Sequence, residues 1–257
     1  MRDPHVETLR YGFETDENVY YHQPPTVEVE EKEFEGRLED GILMCHMKVH
    51  YPSVEASRRV VDQYLRAWEI DATLSLGRGE FRFVLESAPV IDRDPQPPGA
   101  PQIIHVSAAM AKAAVFVTGH VTRRKYPEPP KIFRTSPDVE TLWQRYQNYL
   151  ERREPLPSMA YFCLTIVEAR ARSRAAASRM LAIEEKVLQK LGELTSVKGE
   201  TATARKAPPT GTAIPLSGKE PTWIEAAVKQ LIRRLGEYRS GHTLPKITMA
   251  DLPPLDP

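Results

Sequence analysis

The sequence predicts an α+β fold: an N-terminal antiparallel sheet domain with one packed helix, followed by a C-terminal helical bundle. Three observations predict it. Between residues 26 and 123, apolar side chains recur at alternate positions in short runs bounded by turn residues, the period of half-buried strands. One stretch inside that region, from Pro52-Ser53 to about residue 75, switches to helical spacing. Beyond Ser136 every apolar run has i, i+3, i+4 spacing, and the breaks between runs fall at prolines and capping residues.

Residues 1–25 are rich in charge and aromatics, show no sustained period and end at Pro24-Pro25, which predicts an irregular segment. A strand follows, with Val27, Val29 and Glu31 on one side and Glu28, Glu30 and Lys32 on the other. Asp40-Gly41 is a hairpin signal, because both positions of a tight two-residue turn need positive φ. The next run, ILMCHMKVHY, puts Leu43, Cys45, Met47 and Val49 on one face. Ile42, Met44, His46, Lys48 and His50 share the other.

Val60, Val61, Tyr64, Leu65 and Trp68 then make the apolar stripe of a helix that stops near Gly77. In EFRFVLE, Phe81, Phe83 and Leu85 alternate with Arg82, Val84 and Glu86, and extended spacing continues from Ala88 to Arg93. Residues 94–101 carry four prolines and so form a surface connection, not a central strand. QIIHVSA and AAVFVTGHVTR read as two further strands. The sheet domain is thus expected over residues 26–135.

The helical domain is expected over residues 136–240. Ser136 is an N-cap with Pro137 at the first helical position, and the helix carries Leu142, Trp143, Tyr146, Tyr149 and Leu150. Pro155 and Pro157 break the chain before a helix containing Tyr161, Leu164, Ile166 and Val167. The next helix, SRMLAIEEKVLQKLGELTSVKG, buries Met180, Leu181, Val187, Leu188 and Leu191. Residues 199–216 read as a long loop. Ser217 and Glu220 form a capping box for a last helix that buries Trp223, Ala227, Val228, Leu231 and Leu235. A proline-rich tail, residues 241–257, is expected to lie over the surface.

Composition bounds the function. A chain of 257 residues with 41% hydrophobic content is long enough for two modest domains with real cores. Lys+Arg and Asp+Glu both total 35, so global charge selects no partner. The charge is nevertheless uneven. Residues 1–40 hold 12 acidic and 4 basic side chains, while residues 152–240 hold 16 basic and 9 acidic. Cys45 and Cys163 have no metal-site or disulfide spacing, which fits a reducing cytosol. The first residues have no apolar core of a signal peptide, and no apolar run approaches the roughly 20 residues of a membrane helix. A cytoplasmic protein with no membrane partner is expected.

Three segments carry a family resemblance. YFCLTIVEA, with Glu168 near its end, EKVLQKLGEL, and WIEAAVKQLIRRLGEY together resemble the core helices of the HEPN superfamily, in the branch found in bacterial defence proteins with a strand-rich N-terminal region. The resemblance covers about a third of the chain and is one of pattern more than identity. Active members of that superfamily are metal-independent ribonucleases with an Arg and a His four to six residues apart at a helix end. The matching stretch here, ELTSVKGETATARK, contains no His, and its first Arg is Arg205. Arg234 and His242, or Arg239 and His242, do not have the spacing either. The resemblance therefore implies a non-catalytic member acting in dimerisation or as a scaffold.

The candidate sites follow from residue chemistry. Arg170 and Arg174, four apart, are expected on one helical face. With Lys186, Lys190, Arg233, Arg234 and His242 they are the candidate nucleic-acid surface, on which Tyr146 or Tyr149 would stack a base. The alternative is a solvated face. His105 and His120, on neighbouring expected strands, are the weak candidate metal pair. His46 and His50 would lie about 13 Å apart along one strand, too far to share an ion. Asp92 and Asp94 flank Arg93 and read as either a cation site or the end of a strand at a turn. Trp68 reads as the anchor of helix to sheet. Ser158 and Cys163 lack a partnering histidine, so no catalytic residue is assigned and no cofactor is expected. The expectation is a non-enzymatic interaction or scaffold protein. Its helical domain self-associates as a homo-oligomer, and its sheet domain binds a protein partner or ligand. The alternative is an RNA-binding protein or ribonuclease using the basic helical face.

Overall fold

The computed structural model describes residues 2–16, 18–77, 81–94, 121–197, 215–238 and 241–255. The chain divides into two compact units, Met1–Pro130 and Lys131–Pro257. The first is the antiparallel sheet with its helix and the second is helical, so the α+β class holds.

In the first unit the strands are β1 (Pro4–Val6), β2 (Thr8–Thr15), β3 (Val19–Tyr21), β4 (Val27–Glu30), β5 (Phe34–Glu39) and β6 (Ile42–Met47). After helix α1 (Val54–Leu76) come β7 (Phe81–Ser87), β8 (Val90–Asp92) and β9 (Val121–Arg123). The main sheet has the order β4-β5-β6-β2-β7 and is antiparallel throughout. β1 pairs with β8, and β3 pairs in parallel with β9. Asp40 and Gly41 have φ of 49° and 75° and join β5 to β6 as the two-residue hairpin that the sequence predicts, with Glu39 opposite Ile42.

The expectation of an irregular segment over residues 1–25 is overturned. β2 is an interior strand of the sheet, flanked by β6 and β7. Its Leu9 and Tyr11 are buried, while Arg10 and Glu14 point to the other face, where they pair with Glu86 and Arg82. The period-2 signal is present in TLRYGFET but is obscured by three charged or turn-prone neighbours on the solvent face. His46 and His50 are also not on one strand, because β6 ends at Met47. The expected strand QIIHVSA and most of AAVFVTGHVTR lie outside the described residues; Val121–Arg123 of the latter form β9.

Helix α1 starts at Ser53, whose hydroxyl accepts from the Ala56 N–H at 3.3 Å, and ends at Gly77, where φ is 105°. Val61, Tyr64, Leu65 and Trp68 form one core with Leu9, Tyr11, Leu38, Leu43 and Cys45. Trp68 is the expected anchor: its indole meets Phe81 and Phe83, and its N–H donates to the Pro127 carbonyl at 3.2 Å. The sheet face away from α1 carries cross-strand ion pairs such as Arg10–Glu86 at 2.8 Å. Such exposed pairs contribute only tenths of a kcal/mol up to about 1 kcal/mol each.

The second unit consists of α2 (Pro137–Leu150), α3 (Leu156–Ala171), α4 (Arg174–Leu181), α5 (Glu185–Val197) and α6 (Glu220–Tyr238). Ser136 caps α2 as expected, accepting from the Val139 N–H at 3.3 Å. The Glu220 carboxylate accepts from the Ser217 N–H at 2.9 Å, which is the reach-back half of the expected capping box. α3 packs against α2, α4, α5 and α6, with Met159, Ala160, Cys163, Leu164 and Val167 buried. This central place explains why α3 is apolar on most of its circumference.

Three expectations for this unit are corrected. The single helix expected over SRMLAIEEKVLQKLGELTSVKG is two, because Ala182 closes α4 with a φ of 50°. The proline-rich tail is partly built into the unit: Ile247 bridges Ile183, and Ile247 and Leu252 are buried. The boundary falls before residue 131 rather than after 135, because Phe133 is buried against Gly236 and the Arg134 N–H donates to the Gly236 carbonyl at 3.2 Å.

Candidate functional site

The candidate nucleic-acid residues all belong to the helical unit, but Arg170 and Arg174 do not share a helix. α3 ends at Ala171, Arg172 takes a φ of 69°, and Ser173 caps α4. The sequence run ARARSRA holds no Pro or Gly to mark the break, only Ser173, a residue type suited to an N-cap. The left-handed turn is a tertiary choice that lets α4 fold back along α3.

Each arginine closes a contact between elements. Arg170 of α3 pairs with Asp138 in the first turn of α2. Arg174 of α4 pairs with Glu168 of α3 at 2.5 Å. Arg234 is buried on α6, bonded to Glu237 at 2.8 Å and, through its second terminal nitrogen, to the Pro245 carbonyl of the tail at 2.7 Å. Lys190 pairs with Glu193 at 2.9 Å along α5. Arg233 is half-buried and His242 exposed, and both have partners of their own. Lys186 stands exposed in the first turn of α5.

The densest polar constellation in this unit is one that sequence reading did not assemble. Glu225 of α6 accepts from the Tyr146 hydroxyl at 2.9 Å and the Tyr149 hydroxyl at 3.2 Å, both on α2. Lys229, one turn along α6, lies 3.0 Å from the same carboxylate. Burial pushes the carboxyl up, but hydrogen bonds from Lys229, Tyr146 and Tyr149 outweigh it and hold Glu225 below the usual carboxylate range. Burial and the neighbouring carboxylate push both phenols up, Tyr149 to about 12. Glu225 is therefore held as the acceptor and the two phenols as donors. Such a set fastens α2 to α6, and neither the carboxyl nor the phenols are poised to exchange a proton near neutral pH. Tyr146 is 1% exposed, so it has no face for a nucleic-acid base. The legible trace of this network was the Tyr-x-x-Tyr and Glu-x-x-x-Lys spacings, each of which puts its pair on one helix face.

A second, half-buried pair joins α2 to its own C-terminal turn. Arg145 lies 2.6 Å from Glu154 and stacks over the Phe162 ring at 4.2 Å. Burial raises Glu154 above its ordinary value, and Arg145 opposes the rise. At the C-terminal end of α5, the Thr195 and Ser196 hydroxyls donate to the Leu191 and Gly192 carbonyls at 2.6 Å each. This is where the resemblance would place the start of an Arg–His motif, and the two side chains are turned back onto their own helix.

In the sheet unit, Asp92 accepts backbone N–H bonds from Arg2, Asp3 and Asp94 at 3.0, 3.0 and 3.2 Å. The Asp3 bond leads those that hold its carboxyl below the usual range. Asp92 thus closes a strand end. Among the described residues no group of three or more His, Cys, Asp or Glu is placed to hold a metal ion. His105 and His120 lie outside the described residues. No described helix is long and apolar enough to cross a membrane. Compared with known proteins, the chain matches no family model, no curated protein and no solved structure.

Proposed function

We propose that the chain is a non-enzymatic interaction protein whose helical unit works as a scaffold that self-associates, while the sheet unit takes a partner or ligand. The single observation that carries this reading is how the basic side chains of the helical unit are used. Arg170, Arg174 and Arg234 each bind an acidic neighbour, and through these contacts tie α3 to α2, α4 to α3 and α6 to the tail. A guanidinium already bonded to carboxylate has to give up that partner before it can neutralise a phosphate, which weakens the drive of counterion release. The hydroxyl-bearing, back-bonded residues at the end of α5 support a non-catalytic HEPN-like module in the same way. A place in bacterial defence or stress rests on that resemblance alone.

The test is a pair of solution measurements on the full chain. Light scattering at micromolar concentration is expected to give a dimer or larger species that persists in high salt, since apolar association is insensitive to screening. A strict monomer would remove the self-association reading. A mobility-shift titration against single-stranded RNA at low salt is expected to show no complex. A complex that weakens steeply with salt would favour the RNA-binding alternative.

A further inference from the structure

The main sheet ends at β4 on one side and at β7 on the other, and the two edges differ. The Phe83 N–H of β7 donates to the Glu69 carboxylate of α1 at 2.9 Å, so a side chain stops that edge. Among the described residues no strand pairs with the outer side of β4.

The hairpin between β4 and β5 tells which main-chain groups face the open side. The Glu31 N–H donates to the Phe34 carbonyl at 3.0 Å, so these two residues form a bonded pair. Bonded and non-bonded pairs alternate along an antiparallel ladder. Val29–Gly36 and Val27–Leu38 are therefore bonded, while Glu28–Arg37 and Glu30–Glu35 are not. The N–H and C=O groups of Glu28 and Glu30 point away from β5, toward the open edge.

The same two residues set the charge of this edge. Their side chains are 76% and 75% exposed. Arg37 lies 3.7 Å from Glu28, and Lys48 pairs with Glu30, but a carboxylate in water has room for more than one donor. Residues 26–40 hold seven acidic side chains and two basic ones. Glu30 also stands directly opposite Glu35, a like-charged pair that a further cation would relieve. Val27 and Val29 take the other face and pack against the core. A second copy is a poor occupant, since β4 laid on β4 would bring four glutamates together on one face.

We propose that β4 is the docking edge of the sheet unit and that its partner is a basic extended segment. The segment adds antiparallel to β4, with Lys or Arg at alternate positions opposite Glu28 and Glu30 and apolar side chains between them, beside Val27 and Val29. This rests on the reading that the sheet unit takes a partner, and it names that partner's chemistry. Self-association of the helical unit is read separately by light scattering, so either can fail alone.

Fluorescence anisotropy on the full chain tests it. The probe is a labelled octapeptide alternating lysine with valine. It is expected to bind at low salt, to weaken as salt rises, and to lose about tenfold in affinity for E28Q/E30Q. N-methylation separates strand addition from plain charge attraction. In the antiparallel register the lysine N–H groups meet Glu28 and Glu30, and the valine N–H groups face away. Methylating the lysine nitrogens should weaken binding about tenfold, and methylating the valine nitrogens should leave it unchanged. Glu28→Pro removes an outward N–H without touching the β4–β5 ladder and should weaken the parent peptide to the same degree. Binding that is absent at low salt, or that does not fall selectively with lysine methylation, overturns the proposal. An oligomer that dissociates in Glu28→Pro would put a second copy on the edge and overturn it as well. If Glu28→Pro does not fold, the methylated peptides decide, since they leave the protein unchanged.

Discussion

Alanine at Gly236 adds a single methyl group at the tightest contact in the helical unit. A Cβ there would lie 2.3 Å from Phe133 Cε2, 2.5 Å from Cδ2 and 2.8 Å from Cζ. Carbon atoms are at their optimum separation at about 3.5–4.0 Å, so ring and helix would have to part by more than an ångström. Phe133 is 2% exposed and has no open side toward which to turn. The Arg134 N–H to Gly236 carbonyl bond also pins the adjacent backbone. In an open helix the change would favour folding by about 1 kcal/mol, from the higher helix propensity of alanine. Overpacking typically costs about 1–3 kcal/mol, and full loss of a buried phenylalanine about 3–5 kcal/mol. With part of that offset by propensity, the expected net change is a destabilisation of about 1–3 kcal/mol. Urea unfolding followed by the fluorescence of Trp143 and Trp223, both in this unit, would measure it. Phe133→Ala should remove the conflict, so Gly236→Ala made in that background is expected to be neutral or stabilising. A Gly236→Ala midpoint equal to or above the parent's, or additive effects in the double variant, would refute the reasoning.

Other changes have equally definite outcomes. Ala182 holds a φ of 50° at the end of α4, so Ala182→Gly is expected to stabilise the chain by about 0.5–1 kcal/mol in the same urea assay. Glu225→Gln should cost about 1–3 kcal/mol at pH 7, since it weakens charge-assisted bonds to Lys229 and two phenols. The folded carboxyl titrates below its unfolded value, so this contribution is present above the unfolded pKa and lost as pH falls through the folded one. Urea midpoints of wild type and Glu225→Gln should therefore converge on acidification, and a constant gap down to pH 3 would contradict the assignment. Burial pushes the Cys45 and Cys163 thiols up to about 12, so neither should react with a thiol reagent at pH 8 until denaturant is added. A fast stoichiometric reaction of the native protein would show that one of them is accessible.

Much of the architecture was legible because it depends on local periods and caps. Alternation marked β4, β6 and β7, Asp40-Gly41 fixed the hairpin register, and Ser53 and Ser136 started their helices where the sequence placed them. β2 escaped notice because Arg10, Gly12 and Glu14 on its open face dilute the apolar signal of Leu9, Tyr11 and Phe13. The polar networks escaped for a different reason. Tyr146 and Glu225 are 79 residues apart, so no local pattern links them.

The sequence by itself determined the fold class, since hydrophobic period and capping chemistry act within a few residues of each other. It also determined that no Arg–His pair follows α5 at the spacing of the nuclease motif. Only the tertiary structure decided what the charged groups do. A basic run such as Arg170 to Arg174 looks like a single face when written along the chain. Ion pairing depends on distance in space, and the turn at Arg172 sends the two side chains to different carboxylates.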